Sequence, residues 1–355
     1  MRFLLVTGHS YLPQRTGGSE VSMHELCLLL QNQGHEVFVV SALKNENSLL
    51  FFLNRIKSRF AVKGYGCDLK CGYPVFRDWD HLANIDSIVQ DIKPDAAIVF
   101  VGQQIVTVQK LVDLNVPTIC YFRDVAFKEW GGAPFLHEKL SYISNSNFTR
   151  QKIFDHFAVD SVVINPVVFS NIYRCDNFGK NILQIGLFKE KGIEISFSLA
   201  ELFPHLNFVF LESWPVAVDV FSALEKRAHE LGNVKLFRFT DNMSEIYKNT
   251  SILLVPSMCE EAWGRVVTES QFFGIPSIAS NIGGLPESVG NSGILVDDYC
   301  KIDGWKNALT QMDDKDTYLK YSKNAYDMAL SHSDRSGFLV ESIINIAASL
   351  VEVKK

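Results

Sequence analysis

The sequence lacks several features that would assign it to a compartment or a class. No apolar run approaches the roughly 18 residues of a membrane span, and the opening MRFLLVTGHS is too short for a secretory signal. The seven scattered cysteines are an odd number, which excludes the disulfide framework of a small secreted domain. A net charge of −6 argues against general nucleic-acid binding. We therefore predict a cytoplasmic protein without a nucleic-acid partner.

Sequence motifs of common nucleotide and metal sites are also missing. No GxGxxG follows the first strand pattern and no GxxxxGK[ST] occurs, which excludes the usual dinucleotide and P-loop sites. Cys67 and Cys71 form a single CxxxC pair, which is a poor zinc site on its own. In the DWD string, Asp80 is better explained as the cap of a helix beginning near His81 than as a metal ligand. We predict no metal site and no obligatory cofactor.

The residues that are present predict a two-domain α/β protein. A chain of 355 residues fits two domains of about 150 to 180 residues each. A strand, a helix and a second strand in the first forty residues predict a parallel, doubly wound sheet, and the same alternation resumes after Ile182. We predict Rossmann-like domains over 1–172, joined by the helix 335–355, and over 173–334, with a linker near Asn171–Lys180. The last helical patterns cover Asp316–Ser331 and Phe338–Val351.

The most informative stretch runs from Ser251 to Leu295. An apolar strand pattern is followed by a loop that contains two adjacent carboxylates, and Glu269 lies in the first turns of the helix pattern after it. The strand–loop–helix order places the loop at the carboxyl end of a strand, where open α/β sheets bind ligands. Glu261 and Glu269 can then face the same crevice.

The run PSMCEEAWGRVVTES resembles the Glu-x7-Glu signature of glycosyltransferase family 4, whose members are retaining enzymes of GT-B architecture. The resemblance implies two domains facing a central cleft, with a last helix that crosses back to the first domain. It implies that Glu261 binds a hydroxyl of the donor sugar and that Glu269 binds the ribose hydroxyls. The remaining candidate donor-binding residues of this run are Trp263, Gly264 and Arg265.

Two further loops match the family in part. Gly17 and Gly18 precede the first helix, where bare amides and the helix dipole favour an anion. The resemblance implies that this pair approaches the donor phosphates or the acceptor, and a plain αL turn is the alternative. The resemblance implies that Lys191 and Gly192 contact the donor diphosphate. It also predicts an Arg after Gly186, where this chain has Leu, so that Lys189 or Arg265 would have to supply the second charge.

The candidate catalytic residues of the first domain are Arg123 and Asp124, at the end of the strand pattern Thr118–Phe122. Relatives often have a His at the position of Arg123. An arginine is always protonated and cannot act as a base, so Arg123 could only bind anions or stabilise charge. Asp124 is then the candidate for orienting the acceptor, and a structural Arg–Asp pair is the alternative.

A basic apolar segment, Phe51–Lys63, contains Arg55, Lys57, Arg59 and Lys63, and no acidic residue lies between Asn47 and Cys67. Such a segment can lie on an anionic membrane surface or bind a lipid-diphosphate acceptor. The alternative is a solvated helix or loop at the domain edge.

The resemblance, together with these patterns, implies a retaining glycosyltransferase that moves a sugar from a nucleotide-sugar donor to a glycan or lipid-linked acceptor, in polysaccharide or glycoconjugate synthesis. The family implies no obligatory metal. Two alternatives remain on the same fold. One is a nucleotide-sugar epimerase or a sugar phosphorylase, and the other is an inactive GT-B scaffold or subunit, which Arg123 and the missing clamp arginine favour.

Overall fold

The computed structural model describes residues 1–43, 66–166, 168, 179–240 and 242–352. The chain divides into two compact units, Met1–Val167 with Ser336–Lys355, and Val168–Arg335. The sequence placed this division at 172/173. Most of the predicted linker Asn171–Lys180, and the whole basic segment Phe51–Lys63, lie outside the described residues.

The first unit is built on an eight-stranded sheet in the order β3-β4-β2-β1-β5-β6-β7-β8. All neighbouring strands are parallel except β3, which pairs antiparallel with β4. Strand order reverses between β1 and β5, so that the loops after these two strands flank a switch point. The strands are β1 (Arg2–Ser10), β2 (Glu36–Ala42), β3 (Gly66–Asp68), β4 (Val75–Asp78), β5 (Ala96–Val99), β6 (Thr118–Phe122), β7 (Leu140–Ser144) and β8 (Val162–Val163).

Helices cover this sheet, and alternate strand residues face opposite layers of the core. Phe3 and Leu5 pack in one apolar cluster while Leu4 and Val6 pack in another, as the two-residue period of a buried strand requires. The helices are α1 (Gly18–Asn32), α2 (Ile85–Ile92), α3 (Gln104–Asp113) and α4 (Asn147–Phe157).

The second unit is built on a six-stranded parallel sheet in the order β11-β10-β9-β12-β13-β14. The chain winds outwards from β9 on one side and from β12 on the other, so the switch point lies between these adjacent strands. The strands are β9 (Asn181–Ile185), β10 (Asn207–Leu211), β11 (Val234–Phe237), β12 (Thr250–Val255), β13 (Ser277–Ser280) and β14 (Gly293–Val296).

The helices of the second unit continue the alternation. They are α5 (Ile193–Leu202), α6 (Val218–Leu231), α7 (Met243–Lys248), α8 (Arg265–Gln271), α9 (Leu285–Val289) and α10 (Ile302–Asp313). None of the helices in the described part of the chain has the length and apolar content that a membrane crossing requires.

The final helix, α11 (Lys315–Glu352), corrects one prediction. The sequence predicts two separate helical segments, Asp316–Ser331 and Phe338–Val351. The structure has a single helix of 38 residues. Its earlier residues belong to the second unit, and Val340, Ile343, Ala347 and Leu350 complete a core cluster of the first unit.

Another correction concerns Asp80. The predicted helix near His81 begins instead at Ile85, with Asn84 at its N-cap position. Asp80 accepts a hydrogen bond from the backbone amide of Leu82 at 2.9 Å, so its carboxylate closes a turn. In the described part of the chain, no group of three or more His, Cys, Asp or Glu side chains could hold a metal ion.

Candidate functional site

The switch point of the second unit brings together the loops that follow β9 and β12. The β9 loop turns through Gly186 and a short 3-10 turn, Lys189–Lys191, before α5 begins. Buried Gln184 fastens this loop, because its amide nitrogen donates to the carbonyls of Gly186 at 3.0 Å and Lys191 at 2.9 Å. Lys191 is therefore presented from a fixed turn.

Gly192 allows the two loops to touch. Its φ of +72° lies in the left-handed region, and a Cβ at this position would lie 1.9 Å from the carbonyl oxygen of Pro256. The backbone amide of Met258 donates to the carbonyl of Glu190 at 2.8 Å, which joins the same two loops. The predicted Lys191-Gly192 pair therefore meets the loop of the acidic motif.

Glu261 lies where these loops meet. Its Oε1 accepts hydrogen bonds from the Ser257 hydroxyl at 2.7 Å and from the Lys191 ammonium. The Lys191 and Glu261 side chains keep 31% and 17% of their surfaces exposed, so both can reach a ligand. A carboxylate and an ammonium side by side can bind a hydroxyl and an anionic phosphate at neighbouring positions.

The turn Gly283-Gly284 supports the motif loop from behind. The Gly284 amide donates to the Glu261 carbonyl at 2.6 Å. A Cβ on Gly283 would lie 2.4 Å from that carbonyl oxygen, and a Cβ on Gly284 would lie 2.3 Å from the carbonyl oxygen of Ala262. Both glycines are needed for this close backbone approach.

Glu269 on α8 is held at both carboxylate oxygens. Arg265 Nε donates to Oε1 at 2.7 Å, and the Tyr247 hydroxyl donates to Oε2 at 2.9 Å. Burial, reinforced by the Glu269 carboxylate, raises the pKa of Tyr247, so its hydroxyl remains a donor. Tyr247 is not apparent from the sequence, because it lies 22 positions from Glu269, beyond any local spacing rule.

The structure gives the other donor-loop candidates distinct positions. Trp263 is 6% exposed, and its indole donates to Thr268 Oγ1 at 2.9 Å. Gly264 has φ +90° at the N-cap position of α8, where a Cβ would lie 2.5 Å from Leu285. The Arg265 guanidinium, which the sequence offered as a phosphate ligand, contacts Glu269. Lys189 is exposed on its turn.

In the first unit, Gly17 occupies the N-cap position of α1 with φ −134°, which is extended backbone. The alternative αL turn is therefore wrong. Arg123 Nη2 donates to Ser22 on α1 at 2.8 Å, and its guanidinium lies 5.0 Å from the centre of the Tyr121 ring. These contacts place Arg123 beside the first turns of α1, which Gly18 begins.

The Asp124 carboxylate forms its hydrogen bonds within its own loop. Its Oδ1 accepts hydrogen bonds from the Ala126 amide at 3.0 Å and from the Trp130 indole at 2.8 Å. Arg123 and Asp124 thus have separate partners, unlike the side-chain pair considered as the structural alternative.

Comparison with known proteins finds partial matches that are concentrated on the second unit. Residues 180–328 match the family model described as glycosyl transferases group 1. The chain is 37% identical over 114 residues to D-inositol 3-phosphate glycosyltransferase of Corynebacterium glutamicum, a match that covers 30% of this chain and 27% of that relative. It is 32% identical over 121 residues to an uncharacterized 41.2 kDa protein of the cps region of Klebsiella pneumoniae, covering 33% and 32%. The chain thus spans about a third or less of these curated relatives.

Solved structures extend the likeness to the whole chain. Anabaena Alr3699/HepE in complex with UDP and glucose superimposes with a TM-score of 0.74 at 16% identity, covering 98% of this chain and 99% of that one. The same protein has been solved with UDP-glucose. At this level of identity the likeness establishes the fold, and it confirms the predicted GT-B class of two doubly wound α/β domains.

Proposed function

We propose that the chain is a retaining glycosyltransferase of family 4, which moves a sugar from a nucleotide-sugar donor to a glycan or lipid-linked acceptor. The observation that carries the proposal is the meeting of Lys191, Glu261 and Ser257 at the β9–β12 switch point, within the segment that matches the group 1 family. The polysaccharide setting is part of the proposal, supported by the Klebsiella relative of the cps region.

In this proposal each residue binds a different part of the nucleotide-sugar donor. The Lys191 ammonium stabilises the charge that develops on the departing diphosphate, and the N-terminus of α5 contributes its positive dipole. Glu261 accepts a hydrogen bond from a sugar hydroxyl, and Glu269 binds the ribose. The phosphate oxygen freed by bond cleavage takes the proton of the acceptor hydroxyl, so the first unit need not supply a base. The positive charge of Lys191 and of the α5 N-terminus thus stabilises the diphosphate without a bound metal ion.

The test is the pair Glu261→Gln and Glu260→Gln, assayed with UDP-, GDP- and ADP-sugars. Glu261→Gln keeps the shape of the side chain but loses its charge, and we expect a loss of transfer of about 100-fold or more. Glu260 is the adjacent exposed carboxylate and serves as the control, with activity near that of the natural protein. Full activity of the Glu261 variant would contradict the proposal.

An inactive scaffold is the second candidate, and Leu187 is the observation that favours it. This residue stands where the family has a phosphate-binding Arg, and it is only 2% exposed, packed in the core of the second unit. Titration calorimetry with UDP, GDP and ADP separates the two, since a scaffold without donor chemistry has no need to bind any of them.

We also propose a cytoplasmic location with contact to the membrane surface through Phe51–Lys63, a segment outside the described residues. The support is its four basic and several apolar residues. We expect the protein to sediment with vesicles of anionic lipid and not with neutral vesicles. Equal behaviour with both kinds of vesicle would contradict this proposal.

A further inference from the structure

The Glu269 carboxylate is held by donors from two elements. Arg265 Nε reaches Oε1 from the first residue of α8, and the Tyr247 hydroxyl reaches Oε2 from α7. Rotation of the carboxylate about its terminal bond would break both hydrogen bonds. The plane of the carboxylate is therefore fixed.

The same two bonds leave one acceptor position on each oxygen. A carboxylate has about four lone-pair positions, two on each oxygen. One position of each oxygen is used by the protein, and 25% of the Glu269 side chain is exposed. Two adjacent acceptor oxygens on a side chain that is one quarter exposed match the two hydroxyl donors of a vicinal diol, such as the 2′- and 3′-hydroxyls of ribose.

The position of Arg265 is not explained by helix stability. A cation in the first turn of a helix opposes the helix dipole, and an ion pair with the basic residue first is the less favourable order. The Arg265 side chain is nevertheless only 11% exposed, and its guanidinium is hydrogen-bonded to Glu269. This arrangement is explained if the guanidinium serves to orient the carboxylate.

Tyr247 is equally well fixed. Its side chain is 3% exposed, and its ring lies 5.1 Å from the ring of Phe273. A buried ring cannot turn its hydroxyl towards solvent, so Glu269 is the acceptor that this hydroxyl has in the structure. The hydroxyl thus has a directing role that a phenylalanine could not fill.

We infer that Tyr247 and Arg265 are positioning residues that make Glu269 selective for ribose over deoxyribose in the bound nucleotide. The inference rests on the proposed function and deepens it, because it assigns the sugar specificity of the nucleoside to residues outside the Glu-x7-Glu pair. Neither residue needs to touch the nucleotide. They act through the carboxylate that they hold.

The experiment measures affinity by titration calorimetry for UDP, GDP and ADP and for the 2′-deoxy form of each. The natural protein is expected to bind its preferred ribonucleotide about tenfold or more tightly than the deoxy form, the ratio that one charge-assisted hydrogen bond supplies. In Tyr247→Phe this ratio should fall roughly three- to tenfold, with the deoxy affinity unchanged. Arg265→Lys keeps the positive charge but loses the Nε donor, and should lower the ratio in the same way.

Tyr142→Phe is the matched control. It removes another tyrosine hydroxyl, one that donates to the Phe135 carbonyl at 2.8 Å in the first unit, and should leave the ratio unchanged. If Tyr247→Phe and Arg265→Lys both keep the full ratio, or weaken both nucleotide forms equally, the inference is wrong. A natural protein that binds ribo and deoxy forms equally overturns the inference alone. A natural protein that binds no nucleotide overturns the proposed function as well.

Discussion

Two glycines with the same backbone conformation show how one residue can tie two loops together. Gly192 and Gly232 have φ values of +72° and +76°. A Cβ on Gly192 would lie 1.9 Å from the Pro256 carbonyl oxygen, whereas nothing lies within 4 Å of a Cβ on Gly232. Comparing alanine substitutions at the two glycines therefore separates the free-energy cost of the left-handed backbone from that of the close contact.

We predict that Gly192→Ala lowers the free energy of unfolding by about 2–5 kcal/mol, because backbone strain and overpacking add. Gly232→Ala should cost only about 1–2 kcal/mol, the strain alone. Urea unfolding of both variants measures the difference. Equal losses in the two variants would show that the contact with Pro256 does not constrain the loop.

Lys191 offers a second prediction at this scale, because its ion pair with Glu261 is partly exposed. Such a pair contributes about 0–1 kcal/mol to folding, so Lys191→Met should change stability little. Transfer activity should fall about 100-fold or more, because the charge on the leaving diphosphate is no longer stabilised. Steady-state kinetics and thermal unfolding of the same preparation test both parts. The expectation fails if activity persists, or if the variant unfolds.

At the scale of elements, α11 returns to the first unit, as the family resemblance implies for the last helix of the chain. Its residues after Ser336 pack into the core of the first unit, although they follow the whole second unit in the chain. Ile343 is 1% exposed and belongs to that core cluster, whereas Phe338 on the same helix is 69% exposed. One helix thus supplies both a core position and its matched surface control.

Ile343→Ala should lower the free energy of unfolding by about 2–5 kcal/mol, through lost burial and the cavity left behind. Phe338→Ala should stay within about 0.5 kcal/mol. Denaturant titrations of the two variants decide the matter. A similar effect of the two substitutions would mean that the C-terminal part of α11 is not a core element of the first unit.

For the whole molecule, four histidines predict how stability responds to acid. Burial lowers the pKa of His24, His35 and His81 in the first unit and of His332 in the second. Their folded pKa values therefore lie below the ordinary value of 6.5, and the unfolded chain binds more protons as the pH falls through that value. Stability from these groups is present above pH 6.5 and is lost below it.

We expect the thermal midpoint to be lower at pH 5.5 than at pH 7.5. His81→Gln should reduce the fall, because a glutamine can still bond to Thr107, which His81 Nε2 contacts at 2.8 Å, but cannot be protonated. Calorimetry at the two pH values is the measurement. A midpoint that rises on acidification would contradict the assignment.

Local patterns predicted most of the fold. The strand Thr118–Phe122 has the predicted bounds, because apolar spacing and flanking turns determine such a segment locally. The join between the two last predicted helices was missed. Most side chains of the stretch between them are exposed, so the apolar stripe lapses while the helix continues.

The placement of the acidic residues of the candidate site can be inferred from the sequence, whereas the side chains that contact them cannot. Glu261, Glu269 and Lys191 follow strand ends, and that position can be inferred from the alternation of elements. Which strands are neighbours cannot be inferred locally, and it is the adjacency of β9 and β12 that brings Lys191 to Glu261. Tyr247 reaches Glu269 through the same three-dimensional arrangement.

The first unit is built from two separate stretches of the chain, and this affects when its core can be completed during synthesis. Its core cluster includes Val340 and Ile343, which the ribosome adds only after all of Val168–Arg335. During synthesis, the second unit therefore has its complete set of residues before the first unit does. The growing chain carries an unfinished N-terminal core throughout that interval, and a stalled ribosome would leave that core without its closing helix.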